Sequence, residues 1–327
     1  MQAIAIEDGA DGPVLRPVEA PMPQPGPGEI LVRVRAAGVN RADLVRAKSH
    51  FGSDKAPELA IAGMEVAGEV AACGAGAARF RPGDRIIAMA SRSYAEYCTV
   101  HESIASPAPA GLDWPEALAC CTSYITAHNA LVTAAKLRPG EAVLVQGAGS
   151  AAGIATVQLA AFLGAGVVAG TSGKPTKLER LRSIGLTHAL PRNGEGVTDA
   201  ELTATAPEGF HVIADNVGRG ALGFNVRAAA VLGRIVSVGR LGGNHDMLDI
   251  DEVARKRISL IGVTFRTRSR EEHAAVVRAY ERDVLPAFAS GALKPVVDKA
   301  FPLGEAMEAQ AYMTEDRHFG KIVLTLP

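Results

Sequence analysis

Residues 143–155 read Val-Leu-Val-Gln-Gly-Ala-Gly-Ser-Ala-Ala-Gly-Ile-Ala: an apolar strand, a glycine-rich turn and the start of a helix. Amides at such a helix N-terminus can hold a pyrophosphate, and small side chains let the backbone approach it. The spacing departs from the usual Gly-x-Gly-x-x-Gly. After Gly147 and Gly149, the third glycine, Gly153, falls one position late. Alone, the motif fits a plain tight turn as well as a phosphate loop. Its place after the first strand of an alternating strand–helix series favours the loop. A second window bears on the choice of dinucleotide. An NAD site usually carries Asp or Glu about 20 residues past the first glycine. Here residues 167–174 read Val-Val-Ala-Gly-Thr-Ser-Gly-Lys, with no acid, and Lys177 and Arg180 follow Lys174. The hydroxyls of Thr171 and Ser172 and these cations suit a 2′-phosphate, so NADPH is expected over NADH. The competing reading of the cations is a solvated helix face.

Six strand-like runs carry these motifs: Val143–Val145, Val167–Ala169, His188–Leu190, Val212–Ala214, Arg234–Ser237 and Leu260–Val263. Small apolar runs separated by helical stretches imply a parallel sheet covered on both faces, and six of them match a doubly wound dinucleotide fold. Residues 1 to about 120 have a different texture. Prolines 13, 17, 21, 23, 25 and 27 make an extended segment that cannot be helix. Runs such as Ile30–Ala36, Val66–Ala72 and Asp84–Ala90, punctuated by glycines, read as short strands of a barrel-like β domain. Pro115–Ala135 reads as helical. After Glu271, Val276, Tyr280 and Val284 recur at helical spacing as core contacts, and Pro286 ends or kinks that helix. The last residues return to strand.

A chain of 327 residues is long enough for about two domains with cores of their own. Lys and Arg number 34 against 35 Asp and Glu, a balance that argues against a nucleic-acid partner or a polybasic membrane anchor. Aromatic residues are only 5 %, too few for a base-stacking platform. No apolar stretch of about 20 residues appears, and the N-terminus carries no signal pattern, so a cytoplasmic protein is expected. Cys73, Cys98, Cys120 and Cys121 match neither a metal pair nor a disulfide framework, and read as buried thiols in a reducing compartment.

The chain resembles the medium-chain dehydrogenase/reductase superfamily, in its zinc-independent quinone oxidoreductase branch, which includes zeta-crystallin. The carriers are Ala37-Gly38-Val39-Asn40-Arg41-Ala42-Asp43, Phe80-Arg81-Pro82-Gly83-Asp84-Arg85, Tyr94-Ala95-Glu96-Tyr97, Pro139–Val145, Val157-Gln158-Leu159-Ala160, Asp215-Asn216-Val217-Gly218, Phe265–Arg270 and Gly320–Leu324. The resemblance implies a discontinuous GroES-like β domain, 1–122 and 288–327, interrupted by a Rossmann domain, 123–287. Zinc-dependent relatives have a Cys ligand where Asn40 stands, and a Gly-His-Glu where Gly63-Met64-Glu65 stands. An amide and a thioether are poor ligands for catalytic Zn²⁺, so no zinc is expected. Glu65 reads as a buried structural acid.

By the same resemblance, Asn40 and Asp43 lie beside the nicotinamide, where Asn40 can hydrogen-bond the carboxamide or the acceptor oxygen. The bland alternative is an Asx turn. Thr126 falls near the nicotinamide ribose, and Ser150, Ala151, Ala152 and Gly153 against the pyrophosphate. Thr171, Ser172, Lys177 and Arg192 fall near the adenine ribose and its phosphate. Asn216, Val217 and Gly239 border the cofactor. Phe265, Arg266 and Thr267 match a segment near the nicotinamide end, and Lys321 a C-terminal lysine that contacts the cofactor. Arg268 and Arg270 read equally well as an exposed basic stripe. His50 stands near the place of a tyrosine found in relatives. The implied activity is NADPH-dependent reduction of quinones or α,β-unsaturated carbonyls without a metal. The alternatives are an enoyl-thioester reductase and a non-catalytic NADPH-binding protein. The last Rossmann strand would be an open edge unless it paired across a two-fold axis, so a homodimer is expected.

Overall fold

The proline-rich N-terminal segment shows how local chemistry dictates strand placement. In a computed structural model of the chain, which describes residues 1–9, 12–44, 59–192 and 197–327, β1 (Gln2–Gly9) pairs antiparallel with β2 (Gly12–Glu19), and Pro17 stands opposite Ile4. Proline offers no N–H to a ladder. None is missed there, because the Ile4 N–H and carbonyl bond away from β2, to the Tyr94 carbonyl and the Ala62 N–H. Then follow β3 (Glu29–Val39), β4 (Val66–Cys73), β5 (Arg85–Ala88), β6 (Tyr97–His101) and β7 (Ala105–Pro107). The nucleotide-type region holds β8 (Ala142–Gln146), β9 (Val167–Ser172), β10 (His188–Pro191), β11 (Phe210–Asp215), β12 (Ala229–Ser237) and β13 (Ser259–Gly262). The chain ends with β14 (Val297–Pro302) and β15 (Lys321–Thr325).

Two compact units result. The first contains Met1–Thr122, Phe265–Ser290 and Lys294–Pro327; the second contains Ser123–Thr264 and Gly291–Leu293. In the first, a sheet runs in the order β14-β15-β3-β4-β5-β7, with β6 also on β3. Its core includes Ile30, Val32, Val66, Ile86, Tyr94, Ile322 and Leu324. The C-terminal strand lies between β14 and β3, antiparallel to β3 from Ile322 opposite Val39 to Thr325 opposite Ala36. That is the physical reason this unit needs both ends of the chain.

In the second unit all six strands are parallel, in the order β10-β9-β8-β11-β12-β13. The β8 residues Ala142–Gln146 are all buried, as a strand covered on both faces requires. The order reverses between β8 and β11, which places a crevice at the carboxyl ends of those strands, where dinucleotides bind in such sheets.

The expected boundary after residue 287 differs from the one observed. Phe265–Ser290 belongs with the first unit. The helix Arg270–Asp283 buries Val276, Val277 and Tyr280 there, the Tyr280 hydroxyl donates to the Cys120 carbonyl at 2.6 Å, and Glu281 pairs with Arg79. The expected core role of Val276, Tyr280 and Val284 holds, since all three are buried. Among the described residues no helix is long and apolar enough to cross a membrane. All four cysteines are unpaired. Burial pushes the Cys98 thiol up to about 12 and raises those of Cys120 and Cys121 further, which keeps them unreactive.

Candidate active site

The glycine-rich turn follows β8 directly. Gly147 takes a left-handed conformation (φ 65°), open to glycine at little cost. Ser150 caps the helix Ala151–Phe162: its hydroxyl accepts from the Gly153 N–H at 3.1 Å and donates to the Gly147 carbonyl at 2.9 Å. A Cβ on Gly153 would stand 2.4 Å from the Gly147 carbonyl oxygen. The late third glycine is therefore the one that lets the helix close onto the turn at Gly147 and Ala148. Ser150, Ala151 and Ala152 remain half-buried at the helix N-terminus.

Beside this turn lies a crevice of about 340 Å³, lined by Gly147, Thr171, Ser172, Gly173, Arg192, Val217, Arg219 and Gly220. Among the described residues no carboxylate lines it. Arg192 is steadied by donation to the Gly220 carbonyl at 2.9 Å and lies 5.5 Å from the Phe224 ring centre. The expected residues Thr171, Ser172, Arg192 and Val217 thus meet. The Thr171 hydroxyl, however, points inward and donates to Gln146 Oε1 at 2.5 Å, so its side chain is a strut rather than a phosphate ligand. The strut continues from Gln146 Nε2 to Asn225 Oδ1 (2.6 Å) and from Asn225 Nδ2 to Asp215 Oδ2 (3.0 Å). Asp215 Oδ1 accepts the N–H groups of Val217 and Gly218. Burial raises the Asp215 carboxyl above its usual range, against those hydrogen bonds and the charge of Arg192. Asn216 donates to the Gln146 carbonyl at 3.0 Å, and a Cβ on Gly239 would lie 2.6 Å from the Asn216 carbonyl. These contacts tie the ends of β8, β9, β11 and β12 into one rim.

Lys177 is buried, with its side chain against Gly149. It does not line the crevice. Arg219, exposed on the opposite wall, was not expected. Its position next to Asp215-Asn216-Val217-Gly218 was the available signal. Thr126 sits half-buried on the helix Thr122–His128.

The first unit holds a second constellation. Asn40 directly follows β3, and Asp43 lies in the one-turn helix Arg41–Leu44. Lys321 Nζ donates to Asn40 Oδ1 at 2.7 Å and forms an ion pair with Glu65. Asn40 Nδ2 donates to Glu65 Oε1 at 2.9 Å and to the Gly38 carbonyl at 3.2 Å. The other Glu65 oxygen accepts the Thr122 N–H at 3.2 Å. Glu65 is 0 % exposed and Lys321 3 %. Asp43 Oδ2 accepts from the Asn40 N–H (2.8 Å) and the Tyr94 hydroxyl (3.3 Å), and burial pushes its carboxyl up to about 7.

Two expectations change here. Both Asn40 amide hydrogens and its oxygen are occupied, so the side chain is locked rather than offered to a carboxamide or an acceptor. The Lys321 ammonium serves Glu65 and Asn40, a structural role in place of the expected cofactor contact. Phe265 and Thr267 line a separate crevice in this unit. His50 lies outside the described residues.

Models for an alcohol dehydrogenase GroES-like domain and a zinc-binding dehydrogenase match residues 26–157 and 184–324. Mouse prostaglandin reductase-3 is 31% identical over 94% of this chain and 84% of its own length. A spectinabilin polyketide synthase protein, NorB of Streptomyces orinoci, is 31% identical over 95% of this chain, which spans only 14% of that protein. A mycobacterial quinone oxidoreductase structure matches at 26% identity with TM-score 0.83, and mycobacterial Rv1454c complexed with NADPH at 26% and 0.84, each over 100% of both chains. The chain belongs to the medium-chain dehydrogenase/reductase superfamily, a family of oxidoreductases. Within it, it falls in the quinone oxidoreductase branch.

Proposed function

We propose that the protein is an NADPH-dependent reductase of quinones or α,β-unsaturated carbonyls that works without a metal. The observation that carries the cofactor choice is the 340 Å³ crevice with Arg192, Arg219 and Ser172 on its walls and, among the described residues, no carboxylate. Its chemistry fits a phosphorylated ribose, because guanidinium groups take phosphate oxygens in pairs. The mycobacterial relative complexed with NADPH supports the same reading. NADPH held there would supply a hydride which, with one proton from water, would give a hydroquinone from a quinone or a saturated carbonyl from an enone.

The chain's own residues do the holding. The turn Gly147–Gly153 presents amides to the pyrophosphate. Arg192 and Arg219 receive the ribose phosphate. Asn216, Val217 and Gly239 set the rim. In this proposal Thr126 borders the nicotinamide ribose, and Phe265 and Thr267 keep to the crevice of the first unit. Asn40 and Asp43 act as positioning residues, fixing the end of β3 through Lys321, Glu65 and Tyr94.

The donors at the zinc position of relatives do not fit that metal. Asn40 offers an amide whose atoms are all engaged, Met64 a thioether, and Glu65 a carboxylate already neutralised by a buried ammonium. A divalent cation would have to sit beside Lys321. The acceptor must therefore be one already polarised by conjugation, as quinones and enones are.

Open strand edges invite pairing. We further propose that β13 pairs with its equivalent in a second copy. Leu260 on that strand is 46% exposed, and among the described residues β13 has a hydrogen-bonded strand neighbour on one side alone.

The test is direct. Wild-type protein should bind NADPH more tightly than NADH. Arg192→Ala and Arg219→Ala should each weaken NADPH about 10- to 100-fold, the worth of a charge-assisted hydrogen bond, with little change for NADH. NADPH oxidation should follow addition of ortho- or para-quinones, or short enones, in metal-free buffer. Tighter NADH binding, or activity that tracks stoichiometric zinc, would sink the proposal.

A further inference from the structure

We propose that Asp215 is the positioning residue of the nucleotide crevice: its carboxylate orders a buried chain of side chains that holds both crevice walls, so nucleotide affinity depends on it. The inference rests on the reductase reading above and deepens it at the same site. Every group in it belongs to the second unit.

The walls of the crevice come from two places in the sheet. Thr171 and Ser172 end β9, and Gly173 follows them. Val217, Arg219 and Gly220 follow β11. The strand β8 lies between β9 and β11. Side chains join the two walls across its end. Thr171 donates to Gln146 Oε1, the last residue of β8. Gln146 Nε2 donates to Asn225 Oδ1 on the helix Leu222–Ala228, and Asn225 Nδ2 to Asp215 Oδ2 at the end of β11. The other carboxylate oxygen closes an Asx-type turn, accepting the Val217 N–H at 2.8 Å and the Gly218 N–H at 3.0 Å. Gly218 is left-handed there (φ 73°), and the Gly220 carbonyl two residues on steadies Arg192.

The direction of this chain follows from chemistry. Gln146 and Asn225 are 0% exposed, Thr171 1% and Asp215 3%, so each depends on its neighbours for hydrogen bonds. An amide can face either way, and a hydroxyl can donate or accept. A carboxylate only accepts. It therefore turns the Asn225 NH₂ group toward itself. That sets Asn225 Oδ1 against the Gln146 NH₂ group, and Gln146 Oε1 against the Thr171 hydroxyl. Three bonds away from its charge, Asp215 decides that Thr171 donates inward. Three N–H groups and the charge of Arg192 favour the anion, while burial opposes it.

Asp215→Asn keeps the size and turns an acceptor into a donor. If its oxygen stays on the Val217 and Gly218 N–H groups, its NH₂ group meets that of Asn225. Relief requires Asn225 and then Gln146 to turn over, which takes the acceptor from Thr171. Asp215→Asn/Asn225→Asp exchanges the two side chains and returns every donor to an acceptor. The amide placed at 215 donates to the carboxylate placed at 225, which also accepts from Gln146.

The experiment measures binding of NADPH, NADH and adenosine 2′,5′-bisphosphate to the full chain by calorimetry at about pH 8, where a carboxylate is ordinarily ionised. Urea unfolding shows that each variant is folded. Asp215→Asn should weaken NADPH and the bisphosphate about 10-fold, the worth of one buried hydrogen bond, and the exchanged pair should recover most of that loss. A merely space-filling Asp215 predicts the opposite order, with two changes costing more than one. Thr171→Val should weaken both ligands by a similar factor, and Thr171→Ser, which keeps the hydroxyl, should recover most of it. This second pair decides the matter if Asp215→Asn does not fold. Binding within twofold of wild type in every folded variant overturns the inference alone, as does an exchanged pair no tighter than Asp215→Asn. A folded wild type that binds neither NADPH nor NADH overturns the reductase reading and the inference with it.

Discussion

Replacing Lys321 with methionine removes the ammonium from a carboxylate that has no access to water. Glu65 is 0% exposed, and after the change it keeps only the Asn40 amide at 2.9 Å and the Thr122 N–H at 3.2 Å. Breaking a buried ion pair in this way typically costs about 3–5 kcal/mol. The loss in Lys321→Met relative to wild type should therefore be about 3–5 kcal/mol at pH 7. The double change Glu65→Gln/Lys321→Met, which removes both charges and keeps an amide of the same shape, should recover most of that loss. Urea unfolding at pH 7, on wild type and both variants, measures this. A double variant no more stable than the single one refutes the idea that an uncompensated Glu65 charge causes it.

Asp43 makes a pH-dependent contribution to stability. Its carboxyl is pushed up to about 7 by burial, so the folded chain holds a proton that the unfolded chain releases near pH 4. Its contribution to stability is fully present below about pH 4 and is lost as pH rises through 7. Asp43→Asn should flatten that slope, and urea midpoints from pH 5 to 8 in the two proteins check it. Gly153→Ala places a methyl group 2.4 Å from the Gly147 carbonyl oxygen. It should lower stability by about 1–3 kcal/mol, as overpacking does, and abolish measurable NADPH binding by calorimetry. Leu260→Pro removes an N–H and adds a ring on the open edge of the second unit's sheet; light scattering should find a dimer for wild type and a monomer for the variant.

Much of the second unit could be read from residue order because its strands are local signals. Val143–Val145 and Val212–Ala214 are apolar runs that need no partner to be recognised, and their alternation with helices fixes a parallel sheet. The role of Gly153 was readable only as a spacing anomaly. Its cause, contact with a carbonyl six residues earlier, is geometric. The boundary at 265–290 was missed for another reason. Val276 and Tyr280 mark an apolar face on the helix Arg270–Asp283, but periodicity says nothing of what that face meets. The Tyr280 hydroxyl meets a carbonyl 160 positions away.

The charged core of the first unit shows the same limit, and also a signal that was open to use. Glu65 stands inside the run Ala60-Ile61-Ala62-Gly63-Met64-Glu65-Val66-Ala67, and Lys321 opens the run Lys321-Ile322-Val323-Leu324. A lone charge in an apolar run must either leave the core or find its opposite there. Two such charges of opposite sign, in one domain, are therefore candidates for each other. That inference assigns Lys321 a structural partner before any cofactor is considered. It also explains why Asn40 is held with every polar atom engaged: the asparagine closes the ring around the pair, and so fixes the end of β3.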